Sequence, residues 1–423
     1  MLLLYRAVSS LFYCLLYPFG KFKVWRGSAL WRGRLGLIDP IAHSTVWLHA
    51  SSVGEARVIS YLINYLRKKK PSMTIHVSAM TSAGFRTASL QTADNMTVSF
   101  FPLDAVRVIR KTFDLIRPDI IVIAETEIWP NLICEADRRG IPLVLINGRM
   151  SEKGFGRYRV FRRSLGHLLK KYDRFFFKTD ADATRYRFFN IGSDNTEVTG
   201  DMKFDAPLPN RSDEKVRRIR DSACIDKNDF LLVAGSTRTG EEEILADLYT
   251  SWRSTHSNFR MIIAPRHIDR VSEIRSLLTH RNIAFSIYDD KSGDTYQIGH
   301  KPDSTGGLIL VDRLGLLNDL YLAADLAFVG GTLVNVGGHN LLEPVWAGTP
   351  VLFGPSLSNV KEAADYIMNH NFGAKVSTID ELATLVEQVY SGKIRFSIKR
   401  QADLTNSATA RIGDYILSRL DND

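Results

Sequence analysis

Between Val46 and Phe353 one pattern recurs along the chain. A short run of mainly apolar residues is followed by a turn rich in Gly, Ser or Asn, then by apolar residues at helical spacing. In the first half the runs cover residues 46–50, 75–78, 98–101, 120–124, 143–146 and 174–177. After the first of them, Val58, Ile59, Leu62, Ile63 and Leu66 trace the buried stripe of a helix, and a second helix is predicted over residues 106–113. Apolar runs without a polar face are expected of parallel strands buried on both sides. Their alternation with helices predicts an α/β chain with a doubly wound parallel sheet. The pattern starts again at residues 231–234 and continues at 260–264, 284–287, 308–311, 326–329 and 350–353. Two prolines among turn formers in residues 205–215 mark a linker. The expected organisation is a leading segment 1–35, two Rossmann-like domains at 36–206 and 207–400 facing a cleft, and a polar helical tail 401–423 that packs back on the first domain.

The leading segment breaks the pattern. Residues 2–19, LLLYRAVSSLFYCLLYPF, are apolar apart from Arg6 and a few small polar side chains. As a helix they span ~27 Å, close to the hydrocarbon thickness of a bilayer. No small-residue cleavage site follows, so a membrane anchor, spanning or interfacial, is expected rather than a signal peptide. Lys21, Lys23, Arg26, Arg32 and Arg34 come next, with Trp25 and Trp31 among them. A positive flank on the C-terminal side places the body of the protein in the cytoplasm, against anionic headgroups.

Charge sharpens this reading. The net charge is +9, and residues 149–174 hold nine Lys or Arg against two acids. Within this stretch Phe155, Tyr158 and Phe161 interleave with Arg149, Arg157 and their basic neighbours. Such a segment is either a solvated helix face or a surface that grips phosphates or lipid headgroups. No zinc spacing, helix-turn-helix or RNP-type motif accompanies the charge, so nucleic acid is not an expected partner. Cys14, Cys134 and Cys224 are too few and too scattered for a disulfide or metal framework.

Candidate chemistry sits where doubly wound sheets bind ligands, at the carboxyl ends of strands. Ser52-Val53-Gly54-Glu55 turns from a strand into a helix. Glu55 is either an ordinary helix-start charge, kept ionised by the helix dipole, or a general base. Glu125 and Glu127 end the most hydrophobic strand, and alternation puts them on one face. They either position an acceptor, orient Glu55, or cap the following helix. In the second half Ser236 lies in the Gly235–Gly240 turn, and Arg266-His267 end a strand. Together with Lys203, these two are suited to meeting a leaving phosphate. Residues 325–355, DLAFVGGTLVNVGGHNLLEPVWAGTPVLFGP, read as strand, glycine-rich turn, helix opened by Asn340, and strand. Gly337-Gly338 at a helix start offers unpaired N–H groups to an anion. Glu343 is placed to accept hydrogen bonds from a ribose diol, or to complete an Asn340-x-x-Glu343 capping box. His339 is a phosphate contact or a packing residue. No Asp-x-Asp pair ends a strand, so no metal is expected.

Taken in order, HASSVGE (49–55), ETEIWPN (125–131), NGRMSEK (147–153), GDMKFD (200–205), GSTRTGEEE (235–243), APRH (264–267) and FVGGTLVNVGGHNLLEPVWAGTPVLFGP (328–355) resemble the 3-deoxy-D-manno-octulosonic acid (Kdo) transferases of lipopolysaccharide biosynthesis. The resemblance runs across nearly the whole chain. It implies a GT-B glycosyltransferase without metal or cofactor, working on the cytoplasmic side of the inner membrane. The first domain would take a lipid A precursor as acceptor and the second would take CMP-Kdo as donor. Carried over residue by residue, Glu55 is the general base and Glu125 an acid required near the acceptor. Arg266, Gly337, Gly338, Asn340 and Glu343 hold CMP. Ser236, His267 and Lys203 join the donor set, while Ser52, Gly54, Arg149 and Arg157 join the acceptor set. Two positions depart from the family pattern: Arg238 stands where His is frequent, and Leu316 where an acid is frequent. The competing expectations are another GT-B transferase of envelope glycolipids and a sugar-nucleotide epimerase.

Overall fold

The computed structural model of the chain describes residues 2–39, 43–90, 94–206, 211–288, 307–398 and 407–421. It divides into two compact units, residues 1–206 with 402–423, and residues 207–401. The predicted linker runs through residues 207–210, which lie outside the described residues.

In the first unit seven parallel strands form one sheet. They are β1 (Ser44–Ala50), β2 (Ile75–Ala79), β3 (Met96–Phe100), β4 (Pro118–Ala124), β5 (Leu143–Gly148), β6 (Arg174–Phe177) and β7 (Thr196–Val198), in the order β3-β2-β1-β4-β5-β6-β7. The apolar runs fill the centre of this sheet, and Ile120 through Ala124 are fully buried. Burying each Ile or Val side chain among them contributes about 1.5–3 kcal/mol. The order reverses between β1 and β4, and doubly wound sheets bind ligands beyond the strands' carboxyl ends at such a switch point. On one face the helix Ala408–Asp421 adds Ala408, Ile412 and Ile416 to the core around Val46, Leu48 and Leu62. Its Asp414 accepts a hydrogen bond from Tyr65 at 2.6 Å.

The helix Leu2–Trp25 also belongs to this unit. The Tyr5 hydroxyl donates to Asp104 at 2.9 Å, and Asn131 Nδ2 donates to Ser9 Oγ at 3.1 Å. Asp104 is buried and also accepts the Asn131 and Leu132 N–H groups, so it caps the helix Pro130–Arg139. The opposite side carries a stripe of exposed Leu4, Val8, Leu11, Leu15, Phe19 and Phe22 at spacings of three and four. The helix is long and apolar enough to cross a membrane.

The second unit repeats the architecture with β8 (Phe230–Thr237), β9 (Phe259–Pro265), β10 (Phe285–Ile287), β11 (Leu308–Leu310), β12 (Leu326–Val329), β13 (Val351–Phe353) and β14 (Gly373–Lys375). The order is β10-β11-β9-β8-β12-β13-β14, again parallel throughout. Its reversal lies between β8 and β12, whose carboxyl ends carry the Gly235–Gly240 and Gly330–Asn340 turns.

Candidate active site

In the first unit Ser52 caps the helix Val53–Lys69, its Oγ accepting the Glu55 N–H at 3.2 Å. Glu55 returns the bond. Its Oε1 accepts the Ser52 hydroxyl at 2.8 Å and its Oε2 accepts the Ser51 N–H at 2.7 Å. The capping box therefore aims the carboxylate as well as closing the helix start. Glu55 is only 8% exposed. Burial raises its pKa and the Glu125 charge adds to that, against the two serine bonds and Lys178. The helix start was expected to hold this acid down, but desolvation outweighs it. A Cβ placed on neighbouring Gly54 would meet nothing closer than 3.8 Å, so the face beside Glu55 is open.

Glu125 and Glu127 share the site, by a route other than the one predicted. β4 ends at Ala124, and Glu125 takes φ +58°, so strand alternation does not reach them. Their loop brings Glu127 close enough that Glu55, after burial itself, raises its pKa. Glu125 Oε1 lies 2.7 Å from Lys178 Nζ, at the end of β6. Asn147, with φ +54° at the end of β5, donates to Asp201 at 3.2 Å and accepts the Met202 N–H at 2.9 Å. Lys178 and Asp201 were not singled out in the sequence. The strand order β4-β5-β6-β7 is the signal that finds them, since it lines up the residues following neighbouring strands. Lys203, grouped above with the donor residues, belongs to this unit, with Nζ 3.3 Å from Asp201. Arg149, after β5, and Arg157, on the helix Glu152–Tyr158, are exposed.

The second unit holds a pocket of about 280 Å³ at the ends of β8, β9 and β12. Ser236, Arg266, Arg313, Asn318, His339, Asn340 and Glu343 are among the residues that line it. Ser236 takes φ +56°. Arg238 lies between two imidazoles, its Nε donating to His339 Nε2 at 3.0 Å and Nη1 lying 2.6 Å from His267 Nε2. Burial, then Arg238, Arg266 and His267, lower the His339 pKa to about 4, so this ring is a neutral acceptor. Burial raises Glu343, against an Asn340 hydrogen bond of 3.1 Å and the Arg266 charge. The surplus of guanidinium groups suits an anionic ligand.

Two expectations for this turn are corrected. The helix begins at Leu342 rather than Asn340, because the Asn340 side chain accepts the Leu342 N–H from outside it. The Gly337 and Gly338 N–H groups are not free for a phosphate. Gly337 donates to Ser356 Oγ at 2.9 Å and Gly338 to Gly331 O at 2.7 Å. Both have positive φ, and a Cβ would run into Ser358 and Asn359 at one and into Val360 at the other. They are glycines because the backbone is crowded there. Glu241 organises the same turn. Fully buried, it accepts N–H groups from Arg238, Gly331, Thr332 and Leu333 at 2.7–3.0 Å. The Gly-Glu-Glu-Glu run hid it among ordinary helix-start acids.

Two seven-stranded parallel Rossmann-like units in one chain, each with polar residues gathered at its switch point, define the GT-B class of fold. A solved UDP-GlcNAc 2-epimerase from Neisseria meningitidis shares it, with a TM-score of 0.54 at 14% identity over 89% of this chain and 100% of that one. The family model for 3-deoxy-D-manno-octulosonic-acid transferase matches residues 29–206. The 3-deoxy-D-manno-octulosonic acid transferase of Chlamydia trachomatis serovar A is 29% identical over 86% of this chain and 83% of its own length. A bifunctional glycosyltransferase/methyltransferase of Fusobacterium nucleatum is 34% identical over 82% of this chain, which spans only 53% of that protein. Residues 29–206 thus match the Kdo transferase family model, and the chain is similar to Kdo transferases over most of its length.

Proposed function

We propose that the chain is an inverting transferase that moves Kdo from CMP-Kdo to the glucosamine disaccharide of a phosphorylated, acylated lipid A precursor. The observation that carries this reading is the Glu55 carboxylate, aimed by Ser51 and Ser52, desolvated, and open on the Gly54 side. Glu55 takes the proton of an acceptor hydroxyl. The hydroxyl oxygen bonds to the anomeric carbon of Kdo, and the bond from that carbon to the CMP phosphate breaks with its electron pair going to CMP. In the second unit Arg266 meets the charge of the phosphate, with Ser236 and His267 beside it, while Asn340 and Glu343 take the ribose. In the first unit Arg149, Arg157 and Lys203 serve the anionic groups of acceptor and donor. The helix Leu2–Trp25 holds the chain on the cytoplasmic side of the inner membrane, where such an acceptor is embedded.

The test is mass spectrometry of the products after incubation with CMP-Kdo and a bisphosphorylated tetraacyl glucosamine disaccharide. A gain of one or more Kdo masses is expected. No gain, with the protein folded and CMP bound, overturns the reading.

A further inference from the structure

Lys178 continues the line of β6, its N–H donating to Gly148 O at 3.1 Å. Its side chain is only 11% exposed, and Nζ lies 2.7 Å from Glu125 Oε1 and 3.4 Å from Asp201 Oδ2. A buried ammonium needs such partners, because desolvation unopposed costs several kcal/mol. Both partners come from other strands' ends and are themselves fixed. Asp201 Oδ1 accepts from Asn147 Nδ2 at 3.2 Å and from the Lys203 N–H at 3.0 Å. Glu125 is held at φ +58° with its N–H on Ile146 O at 2.9 Å. Left-handed backbone at a non-glycine residue costs roughly 1–2 kcal/mol and persists where the surroundings impose it.

We propose that Lys178 is a positioning residue for the transfer: it locks the Glu125 carboxylate in place and supplies the fixed positive charge that keeps neighbouring Glu55 available as a base. This rests on the reading of Glu55 as the base. The charged and titratable groups facing the cluster are Glu55, Glu125, Glu127, Asp201, Lys203 and the buried Tyr186 phenol. Of the two ammonium groups, Lys178 is the enclosed one, since the Lys203 side chain is 38% exposed. Burial works against the Lys178 charge, but Asp201 and Glu125 outweigh it and raise its pKa, so the ammonium persists wherever a glutamate titrates. Without it, Glu55 keeps its desolvation and the repulsion of Glu125 and loses a counterweight.

The experiment is the pH profile of kcat/KM, with CMP-Kdo and the tetraacyl disaccharide, for the parent chain, Lys178→Met, Lys178→Arg, Asp201→Asn and Glu55→Gln. Lys178→Met is expected to move the acid limb up by roughly one pH unit, about a tenfold loss below the limb that recovers on the alkaline side. Lys178→Arg is expected to keep the parent limb. Asp201→Asn, which removes a negative charge, is expected to move it down. A fall in Tm for Lys178→Met with the limb unmoved overturns the proposal and leaves a structural ion pair. If Lys178→Met does not fold, an unmoved limb in Asp201→Asn overturns it instead. Normal turnover by Glu55→Gln removes the underlying base reading whatever the lysine variants do.

Discussion

At the scale of single residues, two buried glutamates do different work with similar means. Glu55 accepts two hydrogen bonds yet has its pKa raised, because burial exceeds what they return. On the proposed reading of Glu55 as the base, the acid limb of activity should therefore lie above the ordinary glutamate range. Glu55→Gln should lower turnover by about 10²–10⁴-fold while CMP binding, measured by calorimetry, is unchanged. Glu241 is sealed within the second unit and accepts four N–H groups. Glu241→Ala strands all four, each at about 1–3 kcal/mol when buried. We expect a loss of about 3 kcal/mol or more in denaturant unfolding, and, with CMP in the pocket as proposed, weaker CMP binding because the turn it holds lines that pocket. The sequence pointed to Glu55 through its serine-glycine context. It could not separate Glu241 from its neighbours, because a helix-start acid and a loop-organising acid look alike until the loop 90 residues away is in place. Lys178 escaped for a related reason: its partners are 53 and 23 residues distant in sequence, and only the strand order brings them together.

At the scale of elements, the apolar runs found the central strands because burial on both faces leaves a signature. Thr196–Val198 and Gly373–Lys375 went unseen, since each is a three-residue edge strand of mixed polarity. The glycine-rich turn was visible, but not that Ser356 and Gly331 accept the Gly337 and Gly338 N–H groups. Glycine tolerates both close ligand approach and close backbone packing, and sequence alone does not tell these apart. Here packing decides. Gly338→Ala forces a Cβ to within 2.5 Å of Val360 at φ +86°. It is expected to cost roughly 1–3 kcal/mol, read as a lower unfolding midpoint. The cost should appear without any ligand present, since both the positive φ and the Val360 contact belong to the unliganded fold.

At the scale of the whole molecule, the helix Leu2–Trp25 has one side tied to the first unit through Asp104 and Asn131, and the other side apolar and bare. An exposed stripe of this kind marks a surface for lipid or protein. Removing residues 2–25 should release the chain from vesicles containing anionic lipid in a flotation assay. Leu11→Glu with Leu15→Glu should do the same and leave the Tyr5–Asp104 contact intact. Retention of the double variant on vesicles would rule out this face as the membrane contact.

The helix Ala408–Asp421 packs on a sheet whose strands end at Val198, with the entire second unit encoded between them. Synthesis is vectorial, so the ribosome delivers these pieces in a fixed order. The second unit is a continuous segment and is complete when residue 401 emerges. The first sheet is made earlier but waits, with the part of its core that Ala408, Ile412 and Ile416 complete still open, until residues 408–421 follow. A stalled or clipped nascent chain therefore carries one finished unit and one with an open core, and that open core is where a chaperone or protease would take hold.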